Sequence, residues 1–533
     1  MLNLFFVTLA PLLITNLPLV NTSPAPKTCE AKYYKHDSNV KDRYLVVLRD
    51  DYTLEEHYKF VGQKFEANDI LCGYVADLSS DLFDKVRTDC GVQFVEDDFT
   101  GKRDFHRATS SNKTFSPPLT RRATQQDAPW PLVQMSAPQK NPTDMTNYYV
   151  DNPGEGVDIY ILDSGINHPQ DEFNDQDGND RIEDFLNVST DKTYDDTAPD
   201  DGHGTSVASA LIGKTYGVAK SANLFNVKYE IEGEPDIGNA LSAMTRIVAR
   251  HNARKTENGF KGSIINMSWS VPASRTVLKT LERVYAAGIS MVASGGNDGF
   301  DPSAFPSRND RVISVGASNV DYVPRESSNY GKDEIELWAP GEDVPLCNKH
   351  GDEVRADGTS FAAGYVSGIL AIFYGVEGKD MNPDLAKTRL LAQTDDWIDL
   401  PPGNGKNWYN SPKALANTGN RKGAAKDPPL VYIGGPKAAA ATLKPKPTTT
   451  ATKAPSPSPT DICGVQYEVV LDHFDIFGKN FNSTMMGTEG SGLKEAISGE
   501  MNTEHPFAHT LANIRGDNRM RQADRLDFQP PRR

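Results

Sequence analysis

Cysteine is scarce in this sequence. The 533 residues contain five cysteines, an odd number, and none of them has the close spacing typical of metal ligands: Cys29, Cys72, Cys90, Cys347 and Cys463. Disulfides are therefore not expected to be the main source of stability, and no metal site is predicted. A disulfide among the three N-terminal cysteines stays open, and we expect Cys347 and Cys463 to be buried or unpaired thiols.

The sequence also lacks an excess of basic residues and, beyond its N-terminus, any long apolar run. The 56 Lys and Arg are outnumbered by 72 Asp and Glu, and the formal net charge of −16 argues against nucleic acid as a partner. No later segment approaches ~18 consecutive apolar residues, so no membrane partner is expected. Residues 1–22 are apolar but short and interrupted by proline, which is typical of a secretory signal peptide; a buried strand is the alternative.

The chain is longer than one hydrophobic core usually organises, and its 38% hydrophobic and 24% charged residues are typical of a soluble globular protein. The first folded unit is predicted over residues 42–98, where strand-like apolar runs alternate with helical stretches. The strands are predicted at 44–48, 74–76 and 92–95, and the helices at 53–65 and 81–87. The pattern Thr53-x-x-Glu56 predicts a capping box, and the alternation as a whole indicates a small α+β domain.

A polar segment rich in Ser, Thr and Pro follows over residues 100–120 and ends in Arg121-Arg122. We interpret it as a linker with a dibasic processing site, because an exposed and flexible backbone can extend into a protease. A solvated charge pair is the alternative. The sequence therefore predicts that residues 23–122 are a separable N-terminal segment.

A larger unit is predicted over residues 123–420, where near-continuous apolar strands alternate with helices. The strands are predicted at 157–162, 264–267, 289–293 and 312–315, and two of the helices at 238–251 and 274–287. This pattern predicts an α/β fold with a mostly parallel sheet covered on both faces and its chemistry at the carboxyl ends of strands. Residues 421–460 are a low-complexity linker of Ala, Pro, Thr and Lys, and residues 461–533 form a C-terminal extension of unknown function.

Four residues of the larger unit lie where an α/β fold exposes functional groups. Asp163 and Asn297 each follow a predicted strand, His203 lies between two glycines at a helix start, and Ser360 opens a helix whose unpaired N–H groups can receive an oxyanion. Each of these residues has a structural alternative: it could belong to a turn, cap a helix, or be a histidine whose hydrogen bonds only stabilise the fold. All four together predict a nucleophile, Ser360, with His203 as its general base and Asp163 orienting the base.

Short motifs around these residues resemble those of the subtilisin-like serine peptidases. They are Asp-Ser-Gly at 163–165, Gly-His-Gly-Thr-Ser at 202–206 and Gly-Thr-Ser-Phe-Ala at 358–362, while Ala-Pro-Trp at 128–130 resembles the mature start of the secreted, proteinase K-like group of fungi. The resemblance implies a three-layer subtilisin-like fold, a catalytic triad of Asp163, His203 and Ser360, and an oxyanion hole that contains Asn297. It also implies a ferredoxin-like inhibitory propeptide over residues 42–98 and a mature chain that begins near Ala123.

The same resemblance assigns Ser268, Trp269 and Ser270 to the edge strand on which an extended substrate pairs, which implies broad specificity. Three positions depart from the family's pattern. Ser270 replaces Gly at the mouth of the specificity pocket, Gly364 replaces Pro and is expected to loosen the first turn of the nucleophile helix, and Asn319 replaces an Asp that binds a structural calcium. We therefore expect no required cofactor and do not assume calcium.

These observations predict a secreted serine endopeptidase that is made as a propeptide-inhibited zymogen and acts as a monomer on proteins and peptides. The alternatives are a non-catalytic secreted binding protein on the same scaffold and a processing peptidase of a vacuole-like compartment. Glycosylation sequons begin at Asn112, Asn187 and Asn482, and a fourth, at Asn266, lies in a predicted buried strand. Glu230, Glu232 and Glu234 are expected to form a solvated loop, and a cleft that favours basic residues is the alternative.

Overall fold

A computed structural model of the chain describes residues 29–36, 40–103, 106–110, 123–141, 148–150, 152–175, 178–189, 192–198, 202–230, 236–299, 305–401 and 408–419. Several predictions fall outside these ranges. They are the signal peptide, the dibasic pair Arg121-Arg122, the sequons at Asn112 and Asn482, Cys463, Glu232 and Glu234, the linker 421–460 and the extension 461–533.

The N-terminal unit is a five-stranded sheet with two helices. Its elements are β1 (Lys32–Tyr34), β2 (Arg43–Leu48), α1 (Leu54–Val61), β3 (Ala67–Asn68), β4 (Gly73–Asp77), α2 (Ser80–Arg87) and β5 (Val92–Asp97). The strand order is β1-β5-β2-β4-β3, and only the β1–β5 pair within this described sheet is parallel. Val46, Tyr74 and Val95 from the sheet pack with Val61 and Val86 from the helices in one core. The predicted small α+β architecture is therefore confirmed.

Helix α1 begins at the predicted capping box. The Glu56 N–H donates to Thr53 Oγ1 at 3.2 Å, and the Thr53 N–H donates to Glu56 Oε2 at 3.0 Å. The predicted helix 53–65 is too long, because Gly62 has a φ of 80° and ends the helix at Val61.

The cysteine pairing that the sequence left open is Cys29 with Cys90, a disulfide within the N-terminal unit. In the larger unit Cys347 is a buried thiol, as expected. Burial raises the pKa of this thiol, so its reactive thiolate form is disfavoured. We therefore assign Cys347 no chemical role.

Fourteen further strands and six further α-helices follow in the described residues. They are β6 (Lys102–Arg103), β7 (His106–Ser110), β8 (Ala123–Gln125), α3 (Trp130–Ser136), β9 (Tyr148–Val150), β10 (Val157–Asp163), β11 (Ile182–Asn187), α4 (His203–Ile212), β12 (Asn223–Lys228), α5 (Ile237–Arg254), β13 (Gly262–Met267), β14 (Trp269–Ser270), α6 (Arg275–Ala286), β15 (Ser290–Ser294), β16 (Val312–Ser318), β17 (Leu337–Pro340), β18 (Val344–Cys347), β19 (Glu353–Asp357), α7 (Thr359–Glu377) and α8 (Pro383–Ala392).

The larger unit is organised by a seven-stranded parallel sheet in the order β11-β12-β10-β13-β15-β16-β17. Successive side chains of the central strand β10 point to opposite faces. Ile159 and Ile161 pack in one core with α4 and α7, whereas Tyr160 and Leu162 pack in a second core with α5 and α6. The predicted three-layer α/β fold with a parallel sheet is therefore confirmed.

Helix α7 runs through the first of these cores. Residues 359–380 form the one stretch in the described ranges that is long and apolar enough to cross a membrane, but 94% of its apolar window is buried inside the protein, as in a core helix. The expectation that Gly364 loosens the first turn is wrong, because Gly364 lies in the second turn of a continuous helix. It faces α4 so closely that a Cβ atom would lie 3.3 Å from the Val207 carbonyl oxygen.

Part of the predicted linker 100–120 forms strands. β6 pairs antiparallel with β14, and β7 pairs antiparallel with β19. The linker prediction is wrong for these residues because edge strands of the larger unit supply their backbone partners, which the local composition does not reveal.

Two acidic residues of the N-terminal unit contact helix N-termini of the larger unit. Glu96 Oε2 accepts from the Thr276 N–H at 3.0 Å in the first turn of α6, and Asp98 Oδ1 accepts from the Gly238 N–H at 2.9 Å in the first turn of α5. A carboxylate is stabilised at a helix N-terminus by the unpaired N–H groups there. Arg43 lies between Asp98 and Asp236, 3.3 Å from each. The two units are therefore joined by charged contacts as well as by apolar packing.

Candidate active site

Asp163 and His203 form a buried pair at the carboxyl edge of the parallel sheet. Asp163 is the last residue of β10, and His203 is the first residue of α4. His203 Nδ1 lies 2.7 Å from Asp163 Oδ1, and the two side chains are 0% and 2% exposed. A carboxylate that accepts from Nδ1–H fixes the tautomer in which Nε2 can accept a proton. The structure thus brings together the predicted base and its predicted orienting residue.

A second buried carboxylate, Asp196, supports this pair. Its Oδ2 accepts from the N–H and the hydroxyl of Thr205 in the first turn of α4, both at 2.8 Å, and its Oδ1 accepts from Ser164 Oγ at 2.8 Å. Ser164 in turn donates to Asp163 Oδ1 through its N–H at 2.8 Å. Burial raises the pKa of Asp196, and the hydrogen bonds oppose that change. Our sequence reasoning missed this residue, whose one signal is an acidic side chain shortly before the Gly-His-Gly motif.

Ser360 lies in the first turn of α7, next to Ser268. Ser360 Oγ donates to the Ser268 carbonyl oxygen at 3.4 Å, and Ser268 Oγ donates to the Ser360 carbonyl oxygen at 3.2 Å. α7 packs against α4, which carries His203, and the rings of His203 and Phe361 are 6.1 Å apart. Ser360 is fully buried in the full-length chain.

Asn297 lies three residues after β15, and its side chain contacts the start of α7. Its Oδ1 accepts from the Thr359 N–H at 3.2 Å and lies 3.4 Å from Arg325 Nη1, whereas its buried Nδ2 has no acceptor among the described residues. This arrangement leaves an N–H donor beside the start of α7. Arg325 is 8% exposed and was missed at the sequence level, because nothing in its local sequence indicates that it reaches Asn297.

A cavity of about 640 Å³ adjoins Asn297. It is lined by Arg325, Tyr330 and four carboxylates, including Asp298 and Asp357. Burial lowers the pKa of Arg325, and the nearby carboxylates of Asp357 and Glu342 oppose that change. The cavity thus combines an amide, a cation and acids directly beside the predicted oxyanion site.

The predicted substrate strand lies along the same edge. Ser268, Trp269 and Ser270 are all buried, and β6 pairs antiparallel with the last two, with Arg103 opposite Trp269 and Lys102 opposite Ser270. Lys102 also forms an ion pair with Asp298, next to Asn297. The segment after the N-terminal unit therefore lies on the strand that was predicted to bind substrate.

Other predicted residues lie elsewhere. Glu230 is 3% exposed, so the expected solvated loop is wrong at this position. Asn266 is buried in β13, as predicted. The amide nitrogen of Asn187, the atom that a glycan would modify, donates to the Thr193 carbonyl oxygen at 2.8 Å.

The described residues contain no group of three or more His, Cys, Asp or Glu side chains arranged to hold a metal ion. Asn319 Oδ1, the atom that would replace the carboxylate of a calcium ligand, accepts from the backbone N–H groups of Asp321 at 3.1 Å and Val323 at 3.0 Å. This oxygen therefore already stabilises its own turn.

The fold and the site together define an α/β protein in which an Asp–His pair, a helix-start serine and an asparagine amide meet at one edge of a parallel sheet. The model of the Subtilase family, Peptidase S8, matches residues 154–449, more than half of the chain and a range that contains all four residues. The chain belongs to the subtilase family.

Curated fungal proteins are similar to this chain. They include "Alkaline protease 2" of Aspergillus fumigatus, 29% identical over 336 residues (61% of this chain and 63% of the relative), "Subtilisin-like protease 2" of Trichophyton verrucosum, 33% identical over 283 residues (52% and 64%), and "Subtilisin-like serine protease pepC" of Aspergillus niger, 29% identical over 362 residues (64% and 62%). The matched region thus spans less than two thirds of the length of these relatives. Among solved structures, a cold-adapted subtilisin-like serine proteinase matches with a TM-score of 0.47 at 24% identity and covers 55% of this chain and 99% of its own.

Proposed function

We propose that this protein is a serine endopeptidase that hydrolyses peptide bonds through an acyl-enzyme formed on Ser360. The observation that carries the proposal is the buried contact of 2.7 Å between His203 Nδ1 and Asp163 Oδ1, on a helix packed against the helix of Ser360. A buried and correctly oriented imidazole is what a serine needs to lose its proton at neutral pH.

Each step uses a residue of this site. The Ser360 hydroxyl attacks the substrate carbonyl carbon while its proton passes to His203 Nε2, and Asp163 stabilises the imidazolium. The Asn297 Nδ2 and the Ser360 N–H donate to the oxyanion of the tetrahedral intermediate. His203 then gives its proton to the leaving amine, the C–N bond breaks, and a water molecule deprotonated by His203 hydrolyses the acyl-enzyme in the same way.

The test compares the wild-type protein with the Ser360→Ala variant on an unfolded protein substrate. We expect the wild type to cleave it and to be inactivated by an organophosphorus reagent, with one adduct on Ser360 by mass spectrometry. The variant should lose at least about 10³-fold in turnover. Full activity of Ser360→Ala would refute the mechanism, and a folded wild type without activity would favour the non-catalytic binding protein.

We also propose that the chain is made as a zymogen whose N-terminal unit inhibits the site. β6 pairs with β14, the strand on which a substrate would pair, and Ser360 is fully buried in the full-length chain. Mass spectrometry of the secreted wild type should find a species that lacks the N-terminal unit, together with activity. Ser360→Ala separates two routes: it remains uncut if the enzyme processes itself, and it is cut as the wild type is if a protease that recognises Arg121-Arg122 acts first.

No metal or organic cofactor is needed for this mechanism, because every proton and charge is handled by protein groups. A calcium ion at Asn319 is not part of the proposal, since its amide oxygen already accepts two backbone hydrogen bonds. Dialysis against a chelator should leave activity and thermal unfolding unchanged; loss of either, restored by calcium, would contradict this.

The proposed location is outside the cell, and the fungal relatives carry protease names that fit such a role. Detection of the mature protein in culture medium tests it, while retention in a vacuole-like compartment would support the alternative.

A further inference from the structure

Three hydrogen-bond donors meet at one oxygen of Asp163. Its Oδ1 lies 2.7 Å from His203 Nδ1, accepts from the Ser164 N–H at 2.8 Å and lies 3.1 Å from Ser164 Oγ. The same Ser164 hydroxyl lies 2.8 Å from a second carboxylate oxygen, Asp196 Oδ1. A serine hydroxyl carries a single hydrogen, so the two carboxylates compete for it.

The surroundings of the Ser164 hydroxyl decide where this hydrogen goes. Its oxygen accepts from the Gly204 N–H at 3.1 Å, directly after His203, so its hydrogen is left for one of the carboxylates. The contact with Asp196 is the shorter one, and Asp163 Oδ1 already faces two closer nitrogen donors. The hydrogen therefore lies on the side of Asp196.

Asp196 is surrounded by groups that require an ionised carboxylate. Its Oδ2 faces the Thr205 N–H at 2.8 Å, its Oδ1 faces the Ala198 N–H at 3.1 Å, and the residue is 4% exposed. A backbone N–H can only donate, so both oxygens of Asp196 have to accept. This arrangement makes Asp196 a fixed acceptor for the Ser164 hydroxyl.

We infer that Asp196 is a positioning residue that controls the strength of the contact between Asp163 and His203. By taking the hydrogen of the Ser164 hydroxyl, Asp196 keeps a third donor off Asp163 Oδ1. A hydrogen bond to a carboxylate stabilises its charge, so each further donor weakens its attraction for the imidazolium. The inference rests on the proposed endopeptidase function and assigns a further residue to it.

The variant Asp196→Asn should redirect the Ser164 hydroxyl. An amide has one oxygen, and we expect it to stay on the side of Thr205, where the backbone N–H is closer than that of Ala198 on the other side. The amide nitrogen then faces Ser164 Oγ and donates to it. The hydroxyl hydrogen has to turn to Asp163 Oδ1, where it competes with the imidazole.

The first experiment compares Asp196→Asn with Asp195→Asn, the same substitution at the exposed neighbouring residue. Active enzyme is produced from each full chain, and its active sites are counted by titration with an organophosphorus reagent. For Asp196→Asn we expect kcat to fall about tenfold with KM unchanged, because the imidazolium forms only in the transition state. Asp195→Asn should keep both constants of the wild type.

The outcomes of this comparison separate the inference from the function. Equal kcat for the two variants would overturn the inference and leave the endopeptidase function intact. A folded wild-type enzyme without activity would count against the function itself.

The second experiment adds Ser164→Ala to the wild type and to Asp196→Asn. In the wild type we expect kcat to stay within about threefold, because the hydroxyl serves Asp196 and only the Gly204 N–H loses its acceptor. In Asp196→Asn, Ser164→Ala removes the competing donor and should raise kcat at least about threefold. If Asp196 only stabilised the fold, the double variant would be no more active than Asp196→Asn, and the inference would be wrong. A rise of kcat in the wild-type background would overturn it as well.

A spectroscopic test does not require active enzyme. In the uncut Ser360→Ala chain with labelled histidine, the resonance of the His203 Nδ1 proton reports its hydrogen bond to Asp163, since a stronger bond moves the resonance downfield. Adding Asp196→Asn should move it upfield, and adding Ser164→Ala as well should move it back. A resonance at the same position in all three chains would overturn the inference.

Discussion

At the scale of single residues, the site depends on how the Asn297 amide is held. Its oxygen has two donors, the Thr359 N–H and Arg325 Nη1, so its Nδ2 is left to donate toward the oxyanion position. Pre-oriented donors stabilise a transition state because they need no reorganisation when charge develops. Arg325 acts through Asn297, and we regard it as a positioning residue.

We expect Arg325→Met to lower kcat about tenfold with little change in KM, because the substrate ground state does not use the oxyanion donor. Asn297→Ala should cost about 10²–10³ in kcat. A double-mutant cycle on a short peptide substrate checks the assignment. The two changes should be non-additive, so that Arg325→Met costs nothing further once Asn297 is Ala. Additive losses would mean that Arg325 supports the fold or the cavity rather than the amide.

The catalytic candidates could be predicted from the sequence, but the residues behind them could not. Asp163, His203, Asn297 and Ser360 lie in short motifs at strand ends or helix starts, so local pattern is enough to find them. Arg325 matters because its loop approaches Asn297, and Asp196 matters because it spans Ser164 and Thr205. Both roles depend on tertiary proximity. Arg325 has no local signal in the sequence, and Asp196 has only its position shortly before the Gly-His-Gly motif.

At the scale of elements, the tight crossing of α4 and α7 fixes the relative positions of the base His203 and the nucleophile Ser360. Gly364 allows the approach, since a Cβ there would lie 3.3 Å from the Val207 carbonyl oxygen. Interiors are close-packed, so a side chain larger than that of alanine at this crossing has to separate the two helices.

We expect Gly364→Ala to change the free energy of unfolding by less than about 1 kcal/mol, because the gain in helix propensity offsets the close contact. Gly364→Val should destabilise by about 2 kcal/mol through overpacking. Thermal unfolding in a Ser360→Ala background, which prevents self-digestion, measures both. Ala253→Val on the exposed face of α5 is the control and should cost only about 0.5 kcal/mol. Equal losses at the two sites would show that the crossing is not tight.

Four of the seven strands of the parallel sheet, β10, β13, β15 and β16, were predicted because long apolar runs identify buried strands. β6, β7 and β19 were not, since β6 and β7 lie in polar sequence and form strands only where another part of the chain offers an edge. The end of α1 was overestimated for a local reason, the left-handed conformation of Gly62.

At the scale of the whole molecule, acid and base groups control how the N-terminal unit is held. Burial raises the pKa of Asp98 to about 7, Asp236 adds to the rise, and Arg43 opposes it. Burial also raises the pKa of Asp236. An acid whose pKa is higher when the N-terminal unit is bound stabilises binding in its protonated form. The contribution of Asp98 to binding is therefore complete below its usual pKa near 3.8 and is lost as the pH rises through about 7. Burial alone would raise the pKa of Glu96, but hydrogen bonds from His36, Thr276 and Ser274 outweigh it and lower the pKa. The contact made by the Glu96 carboxylate is therefore lost only at more acidic pH.

The N-terminal unit should therefore be held more tightly near pH 5 than near pH 7.5. Hydrogen exchange of residues 92–103 in the uncut Ser360→Ala chain checks this, with protection factors corrected for the intrinsic rate at each pH. Asp98→Asn in the same background should remove most of the difference, because an amide does not titrate. Equal protection at both values in the parent chain would contradict the prediction.

The Cys29–Cys90 disulfide lies wholly in the N-terminal unit, while the described cysteine of the larger unit is the buried thiol Cys347. If the N-terminal unit is discarded, its covalent cross-link is discarded with it. The redox state of the surroundings then matters at one stage in the life of the molecule: a reductant present during biosynthesis should lower the yield of active enzyme, whereas the same reductant added to the finished enzyme meets no cross-link among the described residues that it could break.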